Sequence, residues 1–201
     1  FFIAFAIKAP LWPLHTWLPT AARSSSAGVA TLLLGVLDKV GTYGMIRFCM
    51  TLFPEATRTF TPAIITLAVI SILYGAFLAI GQRDINSLIS FTSISHFGFI
   101  TLGIFALTSQ GLSGASFYMV NHGFSTAALF LVAGWMIQRR KSTQIEDFGG
   151  LQRVTPVIAP VVVIMVFLGF YPKPVLDIVN TTSATVMAHA QVSDPTAKAG
   201  K

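Results

Sequence analysis

The chain has 201 residues, 54% of them hydrophobic and 10% charged, with a mean hydropathy of +0.74 and a formal net charge of +6. Soluble domains carry roughly 25% charged residues, so this is the composition of a membrane protein. The basic residues sit in loops between apolar runs, which excludes a nucleic-acid footprint, and the lone Cys49 excludes an internal disulfide, a Cys-ligated cluster and a Cys-rich zinc site.

A spanning helix needs about 20 mostly apolar residues. In chain order, a first apolar run ends near Leu18 and carries Lys8, followed by Pro10 and Pro13. The chain opens inside this run with Phe1, no signal-peptide pattern precedes it, and the N-terminus reads as the cut edge of a larger protein. A second span is predicted over 29–52 and a third over 62–80, with Pro62 at its start, where a missing N–H does no harm. The fourth covers 85–107 and the fifth 112–137; the last, over 154–170, is interrupted by Pro156 and Pro160. Short loops join them, which predicts antiparallel neighbours. The fold class is all-α: a polytopic transmembrane helix bundle of about six spans over 1–178, with a small, polar tail over 179–201 that lies on the surface or is disordered. No G-x-G-x-x-G or G-x-x-x-x-G-K-S/T motif occurs.

Four ionisable side chains share one depth. Lys8 precedes Leu18 by ten residues, which is about 15 Å of helix in a core about 30 Å thick. Lys39, His96 and His122 also lie near the centres of their spans. A lysine at that depth costs roughly 2.5–3.5 kcal/mol on insertion scales, so such groups need a partner or a function. Thr92 and Ser93 precede His96 by four and three residues; Ser125 and Thr126 follow His122 by three and four. This spacing places hydroxyls on the same helix faces as the imidazoles. A line of lysine, histidine and hydroxyl groups can hold water and pass protons. Each histidine alone could equally serve a helix–helix hydrogen bond, and Lys8 a structural ion pair. Asp38 adjoins Lys39, but neighbouring helix residues do not face each other, so it is free to pair elsewhere. Arg47, near the end of its span, reads as a snorkelling residue, and Trp12 and Trp17 as interfacial anchors. Pro10 and Pro13 break the first helix just after Lys8, and broken helices at midplane recur at transport sites.

The stretches AIKAPLWPLHTWLPTA, LLGVLDKVGTYGMIRF, GQRDINSLISFTSISHFGFITLGI, MVNHGFSTAALFLVAG and GFYPKPVLD resemble the M-type antiporter-like subunits of respiratory complex I, the proton-pumping NADH:quinone oxidoreductase. The resemblance covers most of residues 1–177 and extends to subunits of cation/proton antiporters and membrane-bound hydrogenases. It implies the C-terminal half of an antiporter-like, inverted-repeat fold with a broken helix. Lys8 then matches the lysine of the broken seventh helix, Lys39 the central lysine of the eighth, and His96 and His122 the tenth- and eleventh-helix positions on a hydrophilic axis. Asp38, Thr92, Ser93, Ser125 and Thr126 are supporting polar groups. The glutamate that partners the broken-helix lysine in the family would lie upstream of Phe1. The run before Ala159 resembles the twelfth helix and the run after Pro160 the fourteenth, which predicts a hidden gap at that joint.

The implied function is proton translocation in the membrane arm, coupled to electron transfer from NADH to quinone. No cofactor is implied on this chain; NADH, FMN, iron–sulfur clusters and quinone belong elsewhere in the complex. The implied partners are other membrane-arm subunits, including L- and N-type antiporter-like ones, and the lipid bilayer, with no nucleic acid. The implied location is an energy-transducing membrane, the bacterial inner membrane. A sodium/proton antiporter subunit, a membrane-bound hydrogenase subunit and a scaffold that moves nothing are the other readings.

Counted close to the spans, one side receives Arg23, Arg83, Arg139, Arg140, Lys141 and Arg153, the other Arg58 and Lys173. By the positive-inside rule the first side is cytoplasmic. A cysteine placed at Ser142 is therefore expected to resist an impermeant thiol reagent added to intact cells. Efficient labelling from outside would reverse the topology.

Overall fold

A computed structural model describes residues 1–149 together with Thr185 and Val186. Among these residues the chain is helical, with no strand and one isolated bridge, between Asp84 and Gln144. Two short helices, α1 (Phe2–Lys8) and α2 (Trp17–Ser24), flank a non-helical stretch over 9–16. Four long helices follow: α3 (Ala27–Met50), α4 (Pro54–Ile80), α5 (Ile85–Phe105) and α6 (Ser109–Arg140), each long and apolar enough to cross a membrane. A 3-10 turn over Ile145–Phe148 ends the continuous description.

The second, fourth and fifth predicted spans therefore stand, with ends shifted by a few residues. The third does not begin at Pro62. Helix α4 starts at Pro54, and Pro62 lies inside it. Pro54 occupies the first turn, where its missing N–H costs nothing, and Glu55 suits the positive helix start. The polar run EATRTF hid these first turns from a search for apolar residues. The predicted last span, most of the tail and the joint at Ala159–Pro160 lie outside the described residues. Within the tail, Val186 is helical and buried against the bundle, so there an apolar side chain meets the core instead of the surface.

Small residues set the spacing of the helices, as expected where van der Waals packing must hold them in lipid. A methyl group on Gly75 would lie 2.7 Å from the Ser95 nitrogen, and one on Gly98 2.7 Å from the Ala68 carbonyl oxygen, so α4 and α5 touch backbone to backbone. Ser95 Oγ donates to the Ile72 carbonyl at 2.9 Å and Ser71 Oγ to that of Ile94 at 3.3 Å across the same seam. Gly35 and Gly123 let α3 meet α6, and Gly41 and Gly44 let α3 meet α1. Two apolar cores result, one around Leu11, Met45, Met50, Phe97 and Phe105, the other around Leu18, Leu34, Ile94 and Phe130. The outward side of α4 exposes Phe60, Leu73, Phe77 and Ile80, a surface suited to lipid or to a neighbouring helix.

Helix α3 is not uniform. It carries π turns over Leu33–Leu37 and Met45–Met50, with α-helix over Lys39–Gly44 between them. At the α5 and α6 ends, Asp84 caps α5 by accepting from Ser87 N at 2.8 Å, and Thr108 caps α6 by accepting from Gly111 N at 3.0 Å. The loops before α5 and after α6 are tied together: Ile85 N donates to Thr143 O at 3.0 Å and Ile145 N to Arg83 O at 2.8 Å. Arg83 and the Arg139–Lys141 cluster thus share one end of the bundle.

Gly98→Ala is expected to destabilise the protein by about 1–3 kcal/mol, because the added methyl meets backbone that cannot retreat. Gly114→Ala, with no described atom within 4 Å, is expected to be neutral or slightly stabilising. Thermal melting of the two variants in detergent tests the contrast.

Candidate functional site

The break after Lys8 is a closed piece of hydrogen-bond accounting. Ala9 N donates to Phe5 O at 2.7 Å and Leu11 N to Ala6 O at 3.1 Å. The next carbonyl, of Ile7, loses its helical donor because the chain has turned away. It accepts instead from Trp17 Nε1 at 2.9 Å. Trp12 N, freed by the same break, donates to Ser71 Oγ on α4 at 3.3 Å. Trp17 is therefore more than an interfacial anchor: its indole satisfies a carbonyl that the Pro-containing break exposes, and Trp12 is tied in through its backbone. Lys8 itself is half-buried at the last residue of α1, with no hydrogen-bond or ion-pair partner among the described residues.

Lys39, His96 and His122 form one continuous row. The Lys39 ammonium donates to the Leu34 carbonyl, five residues back, within reach because the intervening turn is π-helical. Its Nζ stands 5.1 Å from the centre of the Phe97 ring, a cation–π distance. Phe97 meets His122 edge-on at 5.2 Å, His122 meets His96 at 5.0 Å, and His96 lies 5.6 Å from Tyr118. His122 is buried with both ring nitrogens lacking a hydrogen-bond partner. Buried polar atoms of this kind are places where proteins hold internal water.

The structure thus draws three of the four predicted residues together, while Lys8 ends α1, which packs on α3 at Gly41 and Gly44. The hydroxyls behave differently from their spacing. Ser125 Oγ donates to the His122 carbonyl at 3.3 Å and Thr92 Oγ1 to the Ile89 carbonyl at 2.8 Å, so both bond backbone and not imidazole. Ser93 and Thr126 are buried on α5 and α6. Asp38 is fully buried, and neither carboxylate oxygen has a hydrogen-bond partner. Arg47 is exposed in the last turn of α3, where a snorkelling arginine belongs.

Three neighbours escaped the sequence analysis. Tyr118 precedes His122 by one helical turn, a spacing that was there to be read. Phe97 links Lys39 to His122 only because α3, α5 and α6 meet, which no local pattern encodes. His15, buried in the break and packed edge-on to Tyr74 at 4.9 Å, sits in a segment with no periodicity to judge it by. A cavity of about 440 Å³ near the break has walls that include Phe2, Leu11, Trp12, Phe60 and Phe105, and none of the four ionisable residues lines it. Among the described residues no three His, Cys, Asp or Glu side chains are grouped to hold a metal.

An interrupted helix beside long apolar helices, with lysine and histidine held in the interior, defines a polytopic membrane protein of transporter-like architecture. Residues 1–176 match the family described as "NADH:quinone oxidoreductase/Mrp antiporter, TM", and the chain belongs to it. It is 58% identical over 159 residues to NADH-quinone oxidoreductase subunit M of Mycobacterium tuberculosis, an overlap covering 79% of this chain and 29% of that protein. The fold is similar to a chain of respiratory complex I from Thermus thermophilus with bound NADH, at 33% identity and a TM-score of 0.77, covering 96% of this chain and 43% of that one. It is also similar to a chain of the Mrp complex from Dietzia, at 26% identity and a TM-score of 0.76, covering 94% of this chain and 37% of that one. The chain therefore spans under a third of the curated relative and under half of each of these two solved chains.

Trp17→Phe keeps the ring and removes the donor. It is expected to cost about 0.5–1.5 kcal/mol, the worth of one hydrogen bond, and to lower the Tm of the purified protein. An unchanged Tm would mean the Ile7 carbonyl finds another donor.

Proposed function

We propose that this chain is part of a proton-translocating membrane-arm subunit of NADH:quinone oxidoreductase, and that protons pass along Lys8, Lys39, His122 and His96. The observation that carries the reading is the row from Lys39 through Phe97 to the two histidines, which meet edge to face, with His122 buried and its nitrogens unpartnered. Neutral imidazole accepts a proton at one nitrogen and releases one from the other, which suits a relay. A lysine amine held in low dielectric exchanges its proton readily when a neighbouring charge changes. Water at the unpartnered His122 nitrogens would bridge the gaps between rings. Ser93, Thr126 and the other hydroxyls polarise the route without being required to carry protons.

The identity of 58% to a subunit M supports the complex I reading over a bare antiporter, and the bacterial source of that relative supports the inner membrane as the location. L- and N-type subunits would then be the membrane neighbours. FMN, iron–sulfur clusters, NADH and quinone would bind other chains of the assembly. Likeness to the Mrp complex supports one second reading, sodium/proton exchange.

In the intact parent complex, reconstituted in vesicles, Lys8→Ala and Lys39→Ala are each expected to lower proton translocation roughly tenfold while complex content stays near normal. His96→Ala should be milder, since water and Tyr118 can shorten the gap. Normal pumping in both lysine variants would overturn the reading. Pumping that disappears in sodium-free buffer would favour exchange.

A further inference from the structure

Helix α3 presents two polar faces, and only one of them belongs to the row already described. Gly35 and Lys39, four residues apart, face α6: a methyl on Gly35 would lie 3.1 Å from Ala127 Cβ, and one on Gly123 3.7 Å from Lys39 Cε. Asp38, Gly41 and Gly44, three residues apart, lie on another face. That face meets the broken helix. A methyl on Gly41 would lie 2.6 Å from Ala9 N and 2.8 Å from Phe5 O, and one on Gly44 would strike the Phe5 ring. Asp38 therefore sits one turn from the point where α3 touches the residue after Lys8.

The Asp38 carboxyl is fully buried, with neither oxygen hydrogen-bonded. Lys39 follows it in the chain, and Lys8 ends the helix whose next residue, Ala9, packs against Gly41 one turn away. A buried carboxylate without hydrogen bonds is stable only beside a cation or as the neutral acid.

We propose that Asp38 is the proton relay between the broken helix and the central row, taking a proton from Lys8 and passing it to Lys39. Across a gap that a water can bridge, the Lys8 ammonium gives a proton to an Asp38 oxygen: an N–H bond breaks, an O–H bond forms, and two neutral groups remain. The acid then protonates a Lys39 amine that has already released its own proton towards His122, and the carboxylate is restored. Each transfer removes or creates one ion pair, so no step leaves a bare charge in the bundle. The inference rests on the proton-translocation reading above and adds a residue to it.

The test is made in the intact parent complex in proteoliposomes, with Asp38→Asn, Asp38→Glu, Lys8→Ala and Lys39→Ala side by side. Asp38→Asn, which keeps the shape, is expected to lower proton translocation roughly tenfold, and Asp38→Glu to restore most of it. A merely structural carboxyl would give no such split. If the lysine variants lose pumping and Asp38→Asn pumps normally, the relay is overturned and the wider reading stands. If all pump normally, both are overturned. If Asp38→Asn does not assemble, it is combined with Lys8→Met. Recovery of assembly in the double variant supports the pairing, and continued loss overturns it.

Discussion

The constraint on which the rest of this structure depends is the cost of holding the Lys39 ammonium inside an apolar bundle. That cost is roughly 2.5–3.5 kcal/mol even on lenient scales. It is met locally by the Leu34 carbonyl and the Phe97 ring, and both depend on backbone irregularity and close packing. The π turn over Leu33–Leu37 puts a carbonyl within reach of Nζ. Gly35 and Gly123 bring α6 near enough for His122 to reach the same ring. A regular α3 with larger side chains would keep the lysine but lose the partners that make its burial tolerable.

The broken helix obeys the same rule applied to backbone. In lipid every N–H and C=O must find a partner within the protein. The turn after Lys8 is possible because the indole of Trp17 and the hydroxyl of Ser71 take up groups the helix releases. Ser71 in turn donates to the Ile94 carbonyl on α5, two residues before His96. The break and the histidine row are thus mechanically continuous through α4.

Membership of the NADH:quinone oxidoreductase/Mrp antiporter family was legible from short stretches, since AIKAPLWPLHTWLPTA joins a lysine and two helix-breaking prolines in one local unit. Span positions were legible for the same reason: apolar length is a local property. The start of α4 was missed because its first turns are polar, and the Trp17 bond was missed because it joins residues on opposite sides of a break with no regular period.

By itself the sequence determined the class, the approximate limits of three of the four long helices, the break after Lys8 and several of the ionisable residues that lie inside the bundle. These follow from hydropathy, proline and charge, which act on near neighbours. Only the tertiary structure decided which of those residues meet. Lys39, Phe97 and His122 lie on three helices, and their contact depends on glycines that let backbones approach within a methyl's radius. Likewise Asp38 and Lys39 are adjacent in the chain yet face different helices, because successive residues of a helix point about 100° apart. What each of them meets is set by what packs against each face, which a linear pattern does not contain.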